Sequence, residues 1–161
     1  MASSTDPPRI PETLWRALAE YRFSIRRFLD FSGRASRREG LLPQQHQVLL
    51  EIRAASRPED TTVGYLADRM FLRHHSVVGL VDRLERKGLV RRERDARDRR
   101  RVVVALTPRG QGVLDRLTRV FLREYREEGA TLVRSLQAVI RQARRSVEPN
   151  GHATRRARKS R

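Results

Sequence analysis

The strongest constraint on this chain lies between Thr62 and Leu106, where the spacing of apolar residues changes from helical to alternating. Thr62 suits a helix N-cap, because its hydroxyl can accept an unsatisfied amide of the first turn. Leu66, Ala67 and Met70 then mark a short helix. A few residues on, Val77, Leu80, Val81 and Leu84 recur on one helical face, and Gly88 stands where a left-handed C-cap belongs. Two short helices so closely joined predict a helix-turn-helix. Leu89-Val90 and Arg91–Glu93 follow, and Val102–Leu106 is short and β-branched. These two runs predict a β-hairpin with an arginine-rich tip. The expected fold is mainly α with a small β-wing, a winged helix-turn-helix.

Helical patterns flank this core. Leu14, Leu18, Tyr21, Ile25 and Phe28 form a heptad seam widened by Trp15 and Leu29, with Arg16, Glu20, Arg27 and Asp30 opposite. This helix should end near Phe31 or Arg38, with Ser32-Gly33 as a weak point. Pro43 suits the first turn of a short helix running to about Ala55, and Ser56–Thr61 reads as a loop. Thr107-Pro108 starts the last helical region, carried by Val113, Leu117, Phe121 and Tyr125 and broken at Gly129. Leu132, Leu136, Val139, Ile140 and Ala143 continue a second stripe to about Val147.

The expected organisation is a disordered leader (1–11), a dimerisation region built from 12–38 and 108–147, a DNA-binding domain (42–107) and a disordered basic arm (148–161). The seam holding Leu14, Leu18 and Tyr21 is either an intramolecular core face or a dimer seam. The matching stripe of Leu132, Leu136, Val139 and Ile140 favours the dimer, since a short chain has few other places to bury both.

Charge points to the partner. The formal net charge is +17, which indicates a polyanion, nucleic acid first and an anionic membrane surface second. Gly151–Arg161 carries five basic residues and no acid, suited to sequence-independent phosphate attraction. Arg91–Arg101 holds seven arginines against Glu93, Asp95 and Asp98. On a winged helix, the second helix of the pair lies in the major groove, the one that admits a helix and displays a full base code. Its outward residues are Arg73, His74, His75 and Ser76, then Gly79 and Arg83. Gly79, without a side chain, would permit close approach to the duplex. Arg97, Arg99 and Arg100 at the wing tip can reach a minor groove, and Asp98 can hold one guanidinium in a fixed orientation.

Thr62–Ala67 (TVGYLA), Leu80–Leu89 (LVDRLERKGL), Asp98-Arg99-Arg100 and Leu106–Gly110 (LTPRG), in this order, resemble the multiple antibiotic resistance regulator (MarR) family. The resemblance covers about residues 12–147. It implies a homodimeric bacterial winged-helix repressor or activator, with a small, often phenolic, effector between its dimerisation and DNA-binding regions. A repressor in the cytoplasm, associated with the nucleoid and seated on a pseudopalindromic operator, is the expected form. It also implies that Arg100 is the minor-groove arginine and Asp98 its salt-bridging aspartate. Trp15, Phe23 and His46 either line the effector pocket or pack a core face. Arg73-His74-His75 departs from the family's usual Ser or Thr caps, leaving Ser76 as the candidate N-cap. The basic arm is an addition that the resemblance does not explain.

Several functions have no support. There is no cysteine, which removes disulfides, thiolate metal sites and thiol-based redox sensing. The segment Met1–Pro11 has no apolar stretch of a secretory signal, and no run is long and apolar enough for a membrane span. His74 and His75 diverge by about 100° on a helix and cannot easily share a metal. No Gly-rich phosphate loop, GxSxG or HExxH is present, so neither an enzyme nor a cofactor is expected. Beside the sequence-specific regulator stands one other reading, a non-specific architectural DNA-binding protein.

Overall fold

The computed structural model describes residues 10–95 and 98–147. The leader before Ile10, the wing residue Arg97 and the basic arm from position 148 lie outside the described residues. The element order is α1 (Glu12–Arg38), α2 (Pro43–Ala54), a 3₁₀ turn (Pro58–Asp60), α3 (Val63–Met70), α4 (His74–Arg86), β1 (Val90–Arg94), β2 (Val102–Leu106) and α5 (Pro108–Val147). The chain is thus mainly helical, with one antiparallel hairpin in register from Val90 opposite Leu106 to Arg94 opposite Val102. It forms two compact units, one from residues 30–124 and the other, among the described residues, from 10–29 and 125–147.

In the 30–124 unit, local chemistry sets most boundaries. The Gln45 side chain reaches back to the Leu42 N–H (3.0 Å) at the start of α2, where Pro43 has no amide to leave unsatisfied. Thr62 Oγ1 accepts the Tyr65 N–H at the start of α3, as expected. At the end of α4, Gly88 takes φ +67°, and its N–H reaches the Glu85 carbonyl while that of Leu89 reaches Leu84. That pair of bonds satisfies carbonyls the helix cannot. Leu49, Leu66, Val77, Leu80, Val81, Leu84, Val104 and Leu117 are almost wholly excluded from solvent and unite α2, α3, α4, β2 and α5 in one core.

Three expectations need correction. The segment from Ser56 to Thr61 is not all loop, since Pro58–Asp60 makes a 3₁₀ turn. α4 begins at His74 with Arg73 as N-cap, so Ser76 lies inside the first turn and is not the cap. Gly129 does not break the last helical region; α5 runs unbroken for 40 residues. One helical glycine costs about 1 kcal/mol relative to alanine, too little to end a helix carried on both sides by apolar stripes. For the same reason α1 continues through Ser32-Gly33 to Arg38, the longer of its two expected ends.

The joint between α4 and α5 explains the Leu-Thr-Pro-x-Gly motif. Thr107 Oγ1 donates to the Gly88 carbonyl (2.7 Å) and accepts the Gly110 N–H (3.0 Å), while the Thr107 N–H donates to the Leu89 carbonyl. A β-carbon on Gly110 would stand 1.9 Å from that same carbonyl oxygen, so only glycine fits.

In the other unit, Thr13 hydrogen-bonds Gln142, Arg27 pairs with Glu128 (2.6 Å), and the Phe28 and Tyr125 rings lie 5.1 Å apart. Leu14, Leu18, Tyr21, Leu132 and Val139 are half-buried, whereas Leu136 and Ile140 are exposed, as are Trp15, Phe23 and Leu29.

The packing of the 30–124 unit sets two stability effects. Gly110→Ala should destabilise the fold by roughly 1–3 kcal/mol through overpacking, read as a lower denaturant midpoint. His46 is buried, its ring 4.9 Å from that of Phe121, and burial lowers its pKa from the ordinary 6.5. The unfolded chain therefore binds the proton more readily, and stability should fall as pH drops below about 6.5. In urea titrations at about pH 7.5 and 5.5, on either side of that value, His46→Gln should flatten this slope; an unchanged slope would remove His46 as its source.

Candidate nucleic-acid interface

The helix-turn-helix is α3, the turn Phe71–Arg73 and α4. The turn is made by Phe71, whose left-handed backbone (φ 52°, ψ 41°) stops α3 while Leu72 donates back to the Ala67 carbonyl. The opening of α4 carries no side-chain cap. Its early amides are therefore left for solvent or for an anion, in the place where the helix dipole is positive. Arg73, His74 and His75 are exposed at this end, Ser76 and Gly79 are partly covered, and Arg83 is exposed further along. The Arg83 guanidinium lies 3.5 Å from where a Gly79 β-carbon would stand. That is ordinary contact, so packing against Arg83 does not itself require glycine at position 79.

The wing is anchored at its base and along one edge. Thr61, almost fully buried, donates its hydroxyl to the Val104 carbonyl (2.8 Å), and its own carbonyl accepts the Val104 N–H. This fixes β2 to the segment that opens α3. Near the tip, the Asp98 carboxylate accepts the Arg100 N–H (2.9 Å), and its carbonyl accepts that of Arg101. Asp98 thus shapes the turn that carries Arg99 and Arg100, both exposed. Asp95 is buried at the neck, its N–H bonded to the Arg101 carbonyl and its carboxylate 3.6 Å from the Arg101 guanidinium.

Reading the sequence alone missed Arg92. From β1 its guanidinium reaches Asp82 (2.6 Å) and Glu85 on α4, and its N–H also donates to Glu85 (3.0 Å). Partial burial acts to lower its pKa, but the bonds to the two carboxylates prevail and raise it. Arg91 pairs with Glu93 on the same strand. The arginine run is thus divided: Arg91, Arg92 and Arg101 meet carboxylates of the fold, while Arg99 and Arg100 face outward. The only signal for Arg92 was Asp82 and Glu85, two acids one turn apart on the polar side of α4.

The aromatic set divides as well. His46 lies in the core beside Phe121, whereas Trp15 and Phe23 are about half exposed. Among the described residues, no group of three or more His, Asp or Glu could hold a metal ion, and no helix is long and apolar enough to cross a membrane.

The Arg92 bridge gives a direct test. Arg92→Ala should lower stability by about 1 kcal/mol, as loss of two partly exposed ion pairs implies, and should speed hydrogen exchange of the β1–β2 amides. Arg91→Ala removes the same charge and should leave wing exchange near wild type. Equal effects would mean that Arg92 does not brace the wing.

A sequence model of the MarR family matches residues 39–101. The chain is 35% identical over 92 residues to the transcriptional activatory protein BadR of Rhodopseudomonas palustris, covering 57% of this chain and 53% of BadR. It thus spans about half of that relative's length. It is 32% identical over 109 residues to the HTH-type transcriptional regulator YkoM of Bacillus subtilis, covering 66% of this chain and 69% of YkoM. Its fold is similar to that of a mutant of S. aureus MepR bound to an oligodeoxyribonucleotide, with a TM-score of 0.58, 20% identity, and coverage of 80% of this chain and 95% of MepR. The helix-turn-helix, the anchored wing and these relationships together place the chain in the MarR family of transcriptional regulators.

Proposed function

We propose that this protein is a sequence-specific, dimeric, double-stranded DNA-binding regulator of transcription. The observation that carries the reading is the uncapped N-terminus of α4, flanked by exposed Arg73, His74 and His75, on a helix whose C-terminal half is joined through Arg92 to an arginine-bearing wing. Unsatisfied amides, a guanidinium and two imidazoles at that end suit phosphates and base edges. The brace holds the wing and the recognition helix in one geometry. On this reading Ser76, Gly79 and Arg83 lie along the major groove, and Arg97, Asp98, Arg99 and Arg100 serve the minor-groove contact.

Dimerisation is supported by the apolar surface left on the other unit: Tyr125, Val133, Leu136 and Ile140 are each 40% exposed or more. A second copy would cover it and present two recognition helices to a pseudopalindrome with half-sites about one helical turn apart. On this reading the dimer acts as a repressor by sitting across promoter DNA. Trp15 and Phe23 remain accessible to a small aromatic effector, whereas His46 is packed into the core. Such a ligand releases DNA only by binding the DNA-free arrangement more tightly.

The test is affinity selection of fragments from the source genome, then competition of the enriched site against unrelated DNA at fixed salt. Preference for the enriched site is expected, with two chains per operator by light scattering and lower output from a reporter promoter carrying it. Arg100→Ala should weaken operator binding by roughly 1–3 kcal/mol. Equal affinity for operator and unrelated DNA would make the protein architectural, and wild-type binding by Arg100→Ala would remove the wing from the contact.

A further inference from the structure

Phe71 stands out twice. Among the described residues it is the one non-glycine with positive φ, and its side chain is 96% exposed, more than any other large apolar residue described. L-residues disfavour the left-handed region, which glycine enters freely. A phenylalanine exposed to this degree gains almost nothing from the core. Glycine would make the same turn without either penalty, so the fold gives no reason for the ring. A left-handed phenylalanine whose ring lies in solvent, at a helix end that glycine would serve as well, points to a functional contact.

The position of the ring selects the partner. Phe71 lies two residues before the Arg73 N-cap of the recognition helix, and exposed His74 and His75 follow. A protein partner would need an apolar surface to complement, but the exposed residues that follow Phe71 in the chain, Arg73, His74 and His75, are polar and sit at an uncapped helix start. A duplex supplies both kinds of surface at once. Phosphates meet the Arg73 guanidinium and the helix start, and the C5-methyl of thymine, the apolar group on the major-groove edge, meets an aromatic ring. We propose that Phe71 is a specificity-determining residue that reads thymine through its methyl group. The inference rests on the DNA-binding reading and adds a base preference that the polar residues of α4 do not supply.

The test uses the full chain, the selected operator and a set of operators in which each thymine is replaced singly by 2′-deoxyuridine, which lacks only the methyl group. At one or two positions wild type should lose roughly fourfold in affinity, the effect of one buried methyl-sized group. Phe71→Ala should bind the unmodified operator more weakly and show no further loss at those positions. Phe71→Gly should bind as weakly as Phe71→Ala with a thermal midpoint equal to or above wild type, since its backbone strain is relieved. A merely structural role would move midpoint and affinity downward together. The inference is overturned if Phe71→Ala matches wild type on the unmodified operator. It also falls if both proteins lose equally on every substituted operator, or if the Phe71→Gly midpoint drops with its affinity. Wild-type binding to the unmodified operator tests the DNA-binding reading separately, so either can fail alone.

Discussion

Thr107 holds the winged-helix unit closed. Its hydroxyl joins the end of α4 to the first turn of α5, its N–H takes the Leu89 carbonyl, and its own carbonyl accepts the Gln111 N–H. Four hydrogen bonds at one residue thus tie the Gly88-Leu89 link between α4 and β1 to the first turn of the long C-terminal helix. Gly110 completes the joint by having no β-carbon to push the Leu89 carbonyl away. Because β2 ends one residue before Thr107 and β1 begins two residues after Gly88, any displacement here would reach the wing and α4 together.

The arginines do two different kinds of work on that frame. Arg92 spans from β1 to two carboxylates of α4, and Arg101 closes the wing neck on buried Asp95. Their charge is largely matched within the fold, so they give geometry and little field. Arg73, Arg83, Arg99 and Arg100 remain exposed and carry the field outward. The excess positive charge of the chain therefore overstates what any one contact could use. Its value to a partner depends on the matched arginines that position the unmatched ones.

Most of the fold was legible because its signals are local. Thr62, Gly88 and Thr107-Pro108 each act on amides or carbonyls within a few residues, so residue type alone implies the boundary. The motif of the C-terminal helix start was also visible, but its glycine has a long-range cause, the carbonyl of Leu89. Gly129 misled because helix propensity is a small term and forty residues of helix outweigh it. Ser76 misled because a residue well suited to capping can lie inside a turn that begins earlier. Arg92 could not be read, since its partners are seven and ten residues away across a change of secondary structure. Phe71 gave no signal of its place, because nothing in its type announces a left-handed backbone.

The hairpin has a further consequence for how such a chain can change. Thr61 fixes β2 by hydrogen bonds to Val104, and Asp95 with Arg101 closes the neck, so the strands are held below the tip. Lengthening the segment between Asp95 and Arg101 would disturb neither anchor. A doubling of its length would add only about 0.6 kcal/mol of loop-closure entropy. The reach of the wing is therefore free to grow by insertion, while the rest of the unit keeps a fixed length.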